Sequence, residues 1–380
     1  MSKLYRIFVL FVMVVMMVSC TAPAIPPSPK EIDVRGQNLS LDDYSARGRE
    51  LYYATFDTRT KWPSADKLPK GFDPVEIMEL GKDPGLGVRQ LHEQGINGQG
   101  ISIAIIDQPL LIDHLEYKDQ LRLYEEVDNI NNEYWRPAMH ASAVSSIAVG
   151  KTVGVAPQAN LYYIAAWTGD WEASTGSFTY NFKHYANAVH RVLEINQDLP
   201  QDQKIRVIAM QVGWSPDQEG YDEITAAVSE AREAGIFVVS SSLSETYGLH
   251  FHGMGRKPPA DPNAFQSYEP GLFWQSYFYL DGIHADTLLI PMDSRTTASE
   301  QGNRQYVFYR EGGWSWSIPY IAGTYALTAQ VKPDITPEEF WDTALKTGKT
   351  IQLQRNGKEY EFGVILDPQA LIDALKASRP

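Results

Sequence analysis

The stretch Ile101-Ser102-Ile103-Ala104-Ile105-Ile106 follows the turn signal Asn97-Gly98-Gln99-Gly100 and is apolar at almost every position. A run of strand length without polar alternation predicts a strand covered on both faces. Similar runs recur at Leu161–Ala166, Ile205–Val212 and Ile236–Ser240. Between them the period lengthens to that of a helix. Tyr185, Ala188, Val189 and Leu193 trace one face of Phe182–Ile195, and Ile224, Ala227, Val228 and Ala231 trace one face of Glu219–Ala234. Strands alternating with such helices predict an α/β fold, with a mainly parallel central sheet and helices on both faces. In such sheets a ligand site lies at the carboxyl ends of the strands.

The start of the chain follows other rules. Lys3 and Arg6 precede the apolar run Ile7–Val18, which is too short to anchor a chain across a bilayer and reads as an export signal. It ends in Met17-Val18-Ser19-Cys20, which resembles a bacterial lipobox whose cysteine is lipid-modified. Residues 1–20 are therefore read as a lipoprotein signal peptide, with the mature chain held by Cys20 to the outer face of the cell membrane. Thr21–Lys30 is a proline-rich linker. Residues 31–95 carry Tyr52, Tyr53, Phe56 and Trp62 without a sustained period and read as an extension packed on the main body. Whether the extension is a removable propeptide or a permanent part stays open, with the permanent reading preferred. The main domain is 96–380.

Composition narrows the chemistry. Cys20 is the only cysteine, so no intrachain disulfide can form and the fold must rest on its core. A formal charge of -14 argues against a nucleic-acid partner, which would need a basic stripe. His250-Phe251-His252 places two imidazoles on one side of an extended segment, but no third ligand is apparent and no metal site is expected. Gly85-Leu86-Gly87 and Gly98-Gln99-Gly100 read as turns, since neither has the third glycine and strand-to-helix context of a dinucleotide site.

Three residues stand out at element ends. Asp107 directly follows the first strand, His140 opens a stretch of small residues suited to a tightly packed helix, and Ser315 lies in Gly313-Trp314-Ser315-Trp316-Ser317-Ile318-Pro319 at a helix start. Each alone has a structural reading: a turn residue, a buried histidine, an N-cap. In the order Asp, His, Ser, with Gly154-Val155-Ala156-Pro157 and the capping-box start Pro333–Glu339 between and after them, they resemble the subtilase family of serine peptidases. His114 also stands where that family often has a histidine.

The resemblance implies a subtilisin-like domain in which Ser315 attacks a carbonyl, His140 takes and returns the proton, and Asp107 holds the imidazole. It also implies that Gln211, Val212 and Gly213 pair with substrate backbone. Departures accompany it. The family's oxyanion asparagine is absent, with Ser244 at its position and Leu243 at the preceding glycine; Ala143 replaces a histidine, Pro109 a glycine, and Trp314 and Trp316 replace threonine and methionine.

The expected function is a lipid-anchored extracytoplasmic serine endopeptidase acting on a peptide or protein substrate through an acyl-enzyme. The alternatives are a catalytically impaired scaffold serving as a peptide-binding or regulatory lipoprotein, and an esterase using the same triad. No cofactor is expected, and a structural calcium is not legible in the sequence.

Overall fold

Ile103, Ile105, Ala104 and Ile106 are all fully buried, the first two on one face of their strand and the last two on the other. The unbroken apolar run demands this, because an alternating strand would leave one face to water. The computed structural model describes residues 31–46, 48–128, 136–172 and 177–378. The expected signal segment, Cys20 and the 21–30 linker lie outside the described residues.

Strand β1 (Ser102–Asp107) is the middle of a five-stranded sheet with β2 (Leu121–Glu126), β3 (Asn160–Ala165), β4 (Ile205–Met210) and β5 (Phe237–Ser240), in the order β2-β3-β1-β4-β5. Every pairing is parallel. The helices that frame the sheet and its open end are, in chain order, α1 (Met139–Val149), α2 (Lys183–Asp198), α3 (Tyr221–Glu233), α4 (Gln275–Asp281) and α5 (Trp314–Val331). On one face Val144 and Ile147 of α1 and Ile318, Ile321 and Tyr325 of α5 pack against Ile103 and Ile105. The other face takes Tyr185 and Val189 of α2 with Ile224 and Val228 of α3. The expected α/β, subtilisin-like architecture with helices on both faces is the one observed.

Small residues let α5 press close to its neighbours. A Cβ on Gly323 would lie 2.7 Å from the Cβ of Val155. Boundaries shift slightly: the strand expected over Ile205–Val212 ends at Met210, so Gln211, Val212 and Gly213 lie just beyond it.

A second sheet was not anticipated. His250–Arg256 runs parallel to Thr287–Pro291 and antiparallel to Tyr268–Pro270. Its sequence, HFHGMGR, hides it because glycine and histidine carry no strand signal.

The extension is woven into the body. Its strand Ala54–Asp57 pairs antiparallel with Tyr306–Tyr309, which pairs in turn with Arg295–Ala298. Phe56, Phe72, Ile77 and Met78 form a local core around Phe308. The helix Pro74–Lys82, capped by the Asp73 carboxylate, is tied to the body where Thr296 donates its hydroxyl to the Met78 carbonyl at 2.7 Å. Arg310 donates its backbone N–H to Thr55 Oγ1 at 2.9 Å and its Nε–H to the Tyr52 carbonyl at 2.8 Å. Contacts so distant in sequence leave no periodic signature in residues 31–95.

Candidate active site

Parallel strands all point their carboxyl ends the same way, so residues just past β1, β4 and β5 converge on one rim. Asp107 is the last residue of β1 and is 3% exposed. His140 and Ser315 each occupy the second position of a helix, α1 and α5 respectively. Ser315 is therefore not the N-cap; Gly313 takes that place, with no side-chain cap bond. In the first turn the backbone N–H groups lack intrahelical acceptors, so the Ser315 N–H is left to meet a ligand at the positive end of the helix dipole.

Asp107 and His140 are in direct contact. His140 Nδ1 lies 2.8 Å from Asp107 Oδ2 and 3.0 Å from Oδ1. The carboxylate is held in turn by the Gln108 N–H, 2.7 Å from Oδ1. A carboxylate only accepts, so the imidazole proton sits on Nδ1 and the Nε2 lone pair is free to act as a base. Burial opposes the charged imidazolium, yet the charge and hydrogen bond of Asp107 outweigh it and raise the His140 pKa above the ordinary 6.5. Trp316 meets the imidazole edge-on, ring centres 5.7 Å apart, and packs on Tyr309 behind it.

Ser315 is placed differently. Its hydroxyl donates to the Gln211 carbonyl at 3.4 Å, a long bond that an incoming ligand could displace at little cost. The approach to it is fixed by Asp293, a fully buried carboxyl that accepts the Gly312 N–H and the Leu272 N–H, each at 2.8 Å. Burial pushes that carboxyl up to about 7. Pro319 lies inside α5 and removes the N–H that would otherwise bond the Ser315 carbonyl. Around the serine sit buried polar atoms without a partner among the described residues: Gln211 Oε1 and Nε2, Ser317 Oγ, and the indole nitrogens of Trp314 and Trp316.

The remaining sequence candidates fall as follows. Gly213 lies between strand ends, where an added Cβ would stand 3.1 Å from Ser242 Oγ. Ser242, which the sequence did not single out, bridges the ends of β4 and β5 by accepting the Trp214 N–H at 3.0 Å. Ser244 lies two residues further on, in the short helix Leu243–Tyr247, and donates its hydroxyl to Glu245 Oε2 at 2.7 Å. His114 is fully buried, with Nδ1 accepting the Glu116 N–H at 3.2 Å and Nε2 donating to the Gln305 carbonyl at 2.9 Å. Both nitrogens are thus committed to structure, and burial lowers its pKa. His250 and His252 share a strand, but no group of three His, Cys, Asp or Glu among the described residues is placed to hold a metal ion. Among the described residues no helix is long and apolar enough to cross a membrane.

Comparison with known proteins adds a family. The model of the subtilase family matches residues 98–273, a span that holds Asp107 and His140 and stops short of Ser315. The serine protease AprX of Bacillus subtilis (strain 168) is 24% identical over 279 residues, covering 65% of this chain and 60% of AprX. The subtilisin-like protease PopC of Myxococcus xanthus (strain DK1622) is 22% identical over 294 residues, covering 71% of this chain and 60% of PopC. The chain thus spans about three fifths of the length of these two relatives. Among solved structures, the prenylagaramide maturation protease PagA superposes with a TM-score of 0.51 at 15% identity, covering 77% of this chain and 99% of that one.

Proposed function

We propose that this chain, which matches the model of the subtilase family over residues 98–273 and resembles two bacterial serine proteases of that kind, is a serine endopeptidase that cleaves peptide or protein substrates through an acyl-enzyme. The observation that carries this reading is the Asp107–His140 pair: a buried carboxylate 2.8 Å from Nδ1 leaves the opposite nitrogen as a base at the rim where Ser315 opens α5. Ser315 Oγ attacks the substrate carbonyl as His140 Nε2 takes its proton. Collapse of the tetrahedral intermediate breaks the C–N bond, and the proton passes from His140 to the leaving amine. Water then repeats the sequence on the ester and frees Ser315. The Ser315 N–H and the dipole of α5 serve the oxyanion, and Gln211, Val212 and Gly213 are the backbone that an extended substrate pairs with.

The lipobox-like sequence at Cys20 supports attachment to the outer face of the cell membrane. Incorporation of a labelled fatty acid that disappears in Cys20→Ala is the expected outcome; equal labelling of the variant removes the anchor. No cofactor enters the mechanism.

A second reading is favoured by one feature. Position 244 carries serine instead of the family's asparagine, and its hydroxyl is bonded to Glu245. A scaffold with a weakened oxyanion site could bind peptides without turning them over. Digestion of an unstructured protein by the full chain, compared with Ser315→Ala, separates the two: cleavage products lost in the variant support the peptidase, and none with either protein leaves the binding scaffold.

A further inference from the structure

We propose that a cavity separate from the triad is a binding site for an organic carboxylate with an aromatic or other apolar body. The cavity has a volume of about 720 Å³ and lies where three distant parts of the chain meet: Tyr52 and Tyr53 of the extension, Leu272 and Tyr279 of the body, and Gln354 and Arg355 of the hairpin 352–361. That volume suits a drug-sized ligand. Neither Asp107, His140 nor Ser315 lines it.

Charge selects the class of ligand. Lys257, Arg310 and Arg355 line the cavity with Glu50 and Glu269, three cations against two carboxylates, so the wall carries a net positive charge in a chain of formal charge -14. The buried Arg310 spends its guanidinium on neutral groups, donating from Nε to the Tyr52 carbonyl at 2.8 Å and from Nη1 to the Ser294 hydroxyl at 3.4 Å. Arg355 lies over the Tyr279 ring at 4.1 Å, and its Nη1 is buried without a partner among the described residues. A guanidinium seated on a ring keeps its N–H fork open, and a carboxylate accepts such a fork with two parallel bonds. Phosphate and sulfate also match the fork, but their second charge would meet Glu50 and Glu269. A single carboxylate balances the excess. Burial of an apolar body against Tyr53, Tyr279, Leu272 and Pro258 supplies the rest of the affinity. Because the walls come from three parts of the chain, an occupant ties them together and adds its binding free energy to the stability of the fold.

The test melts the full chain in detergent with 3-phenylpropionate, with N-acetyl-L-phenylalanine, and with the neutral N-acetyl-L-phenylalaninamide, in phosphate-free buffer. With the acids Tm is expected to rise and level off with concentration, by about 3–5 °C at a hundredfold excess over Kd, and with the amide to stay unchanged. A rise with N-acetyl-L-phenylalanine alone assigns the carboxylate to the end of a peptide chain; a rise with 3-phenylpropionate as well admits free acids. Arg355→Met keeps the apolar stem and is expected to abolish the rise, while Lys257→Met, at an exposed position, should reduce it at fixed ligand concentration. No rise with either acid, equal rises with acid and amide, or a larger rise with inorganic phosphate overturns the site. An equal rise in wild type and Arg355→Met does the same, since the acid is then bound elsewhere. Should Arg355→Met fail to melt cooperatively, Lys257→Met decides, and an unchanged rise there overturns the site. None of these outcomes depends on the reactivity of Ser315, so the site and the peptidase reading stand or fall separately.

Discussion

Asp107 and His140 meet at 2.8 and 3.0 Å, with the carboxylate further held by a backbone N–H, whereas among the described residues the Ser315 hydroxyl bonds at 3.4 Å to the Gln211 carbonyl. The first half of the site sits between a strand end and a helix of small residues. The second sits among tryptophans, an interior proline and unpaired buried polar atoms. The contrast separates two requirements of acyl transfer. Holding a base needs a single charged contact, which few residues can specify. Receiving a carbonyl and stabilising its oxyanion needs several donors arranged over distance, and there this chain has been rebuilt.

The sharpest way to break that comparison is to remove each half in turn. Ser315→Ala and His140→Ala are each expected to lower kcat by about 10⁴-fold or more, with the double variant little worse than either, because the two act as one unit. Additive losses in peptide hydrolysis would mean that the halves do not work together. Asp107→Asn is expected to cost about 10⁴-fold, since the imidazole loses the partner that fixes its tautomer. The pH profile gives the sign. His140 must be neutral to accept a proton, and Asp107 raises its pKa, so activity rises with pH through a midpoint above 6.5 in the wild type. The residual activity of Asp107→Asn should have its acid limb at lower pH; an unmoved limb would detach Asp107 from the titrating group.

Stability probes sharpen the framework that carries the two halves. Gly323→Ala forces a methyl to 2.7 Å from Val155 Cβ and is expected to destabilise by about 1–3 kcal/mol in denaturant titration. Thr55→Val removes the acceptor for the Arg310 N–H, five residues before Ser315, and should cost about 1–2 kcal/mol. Because the extension shares a sheet with Tyr306–Tyr309, the loss should appear in one cooperative transition of the whole chain. A separate early transition for residues 31–95 would restore the removable propeptide. The smallest effect belongs to Ser244→Ala. With its hydroxyl bonded to Glu245, the substitution is expected to change kcat by less than about threefold, against the 10²–10³ of a true oxyanion donor measured in subtilisin itself.

The sequence spoke most clearly where structure is local. The strand ending at Asp107 and the helices carrying His140 and Ser315 follow from contiguous apolar runs and small-residue stretches, so their places could be read without coordinates. Three things could not. The N-cap reading open to Ser315 taken alone is not met, because Gly313 is the cap and Ser315 is the second residue of the helix. Ser242 ties β4 to β5 through a backbone N–H contributed from position 214, a pairing no spacing announces. The extension's place depends on antiparallel pairing of Ala54–Asp57 with residues about 250 positions away. Which residues of Leu272–Leu280 are buried could not be read for another reason. In Leu272–Leu280 nearly every position is aromatic or apolar, so periodicity cannot tell the buried Trp274 and Phe278 from the exposed Phe273 and Tyr277.

The central claim is that Ser315 is a nucleophile activated by the His140–Asp107 pair. Intact-mass measurement after fluorophosphonate treatment of the full chain tests it directly. The account predicts a single adduct mapping to Ser315 in the wild type, absent in Ser315→Ala and formed far more slowly in His140→Ala; a folded wild type that takes up no adduct, or takes it up at another residue, would contradict it.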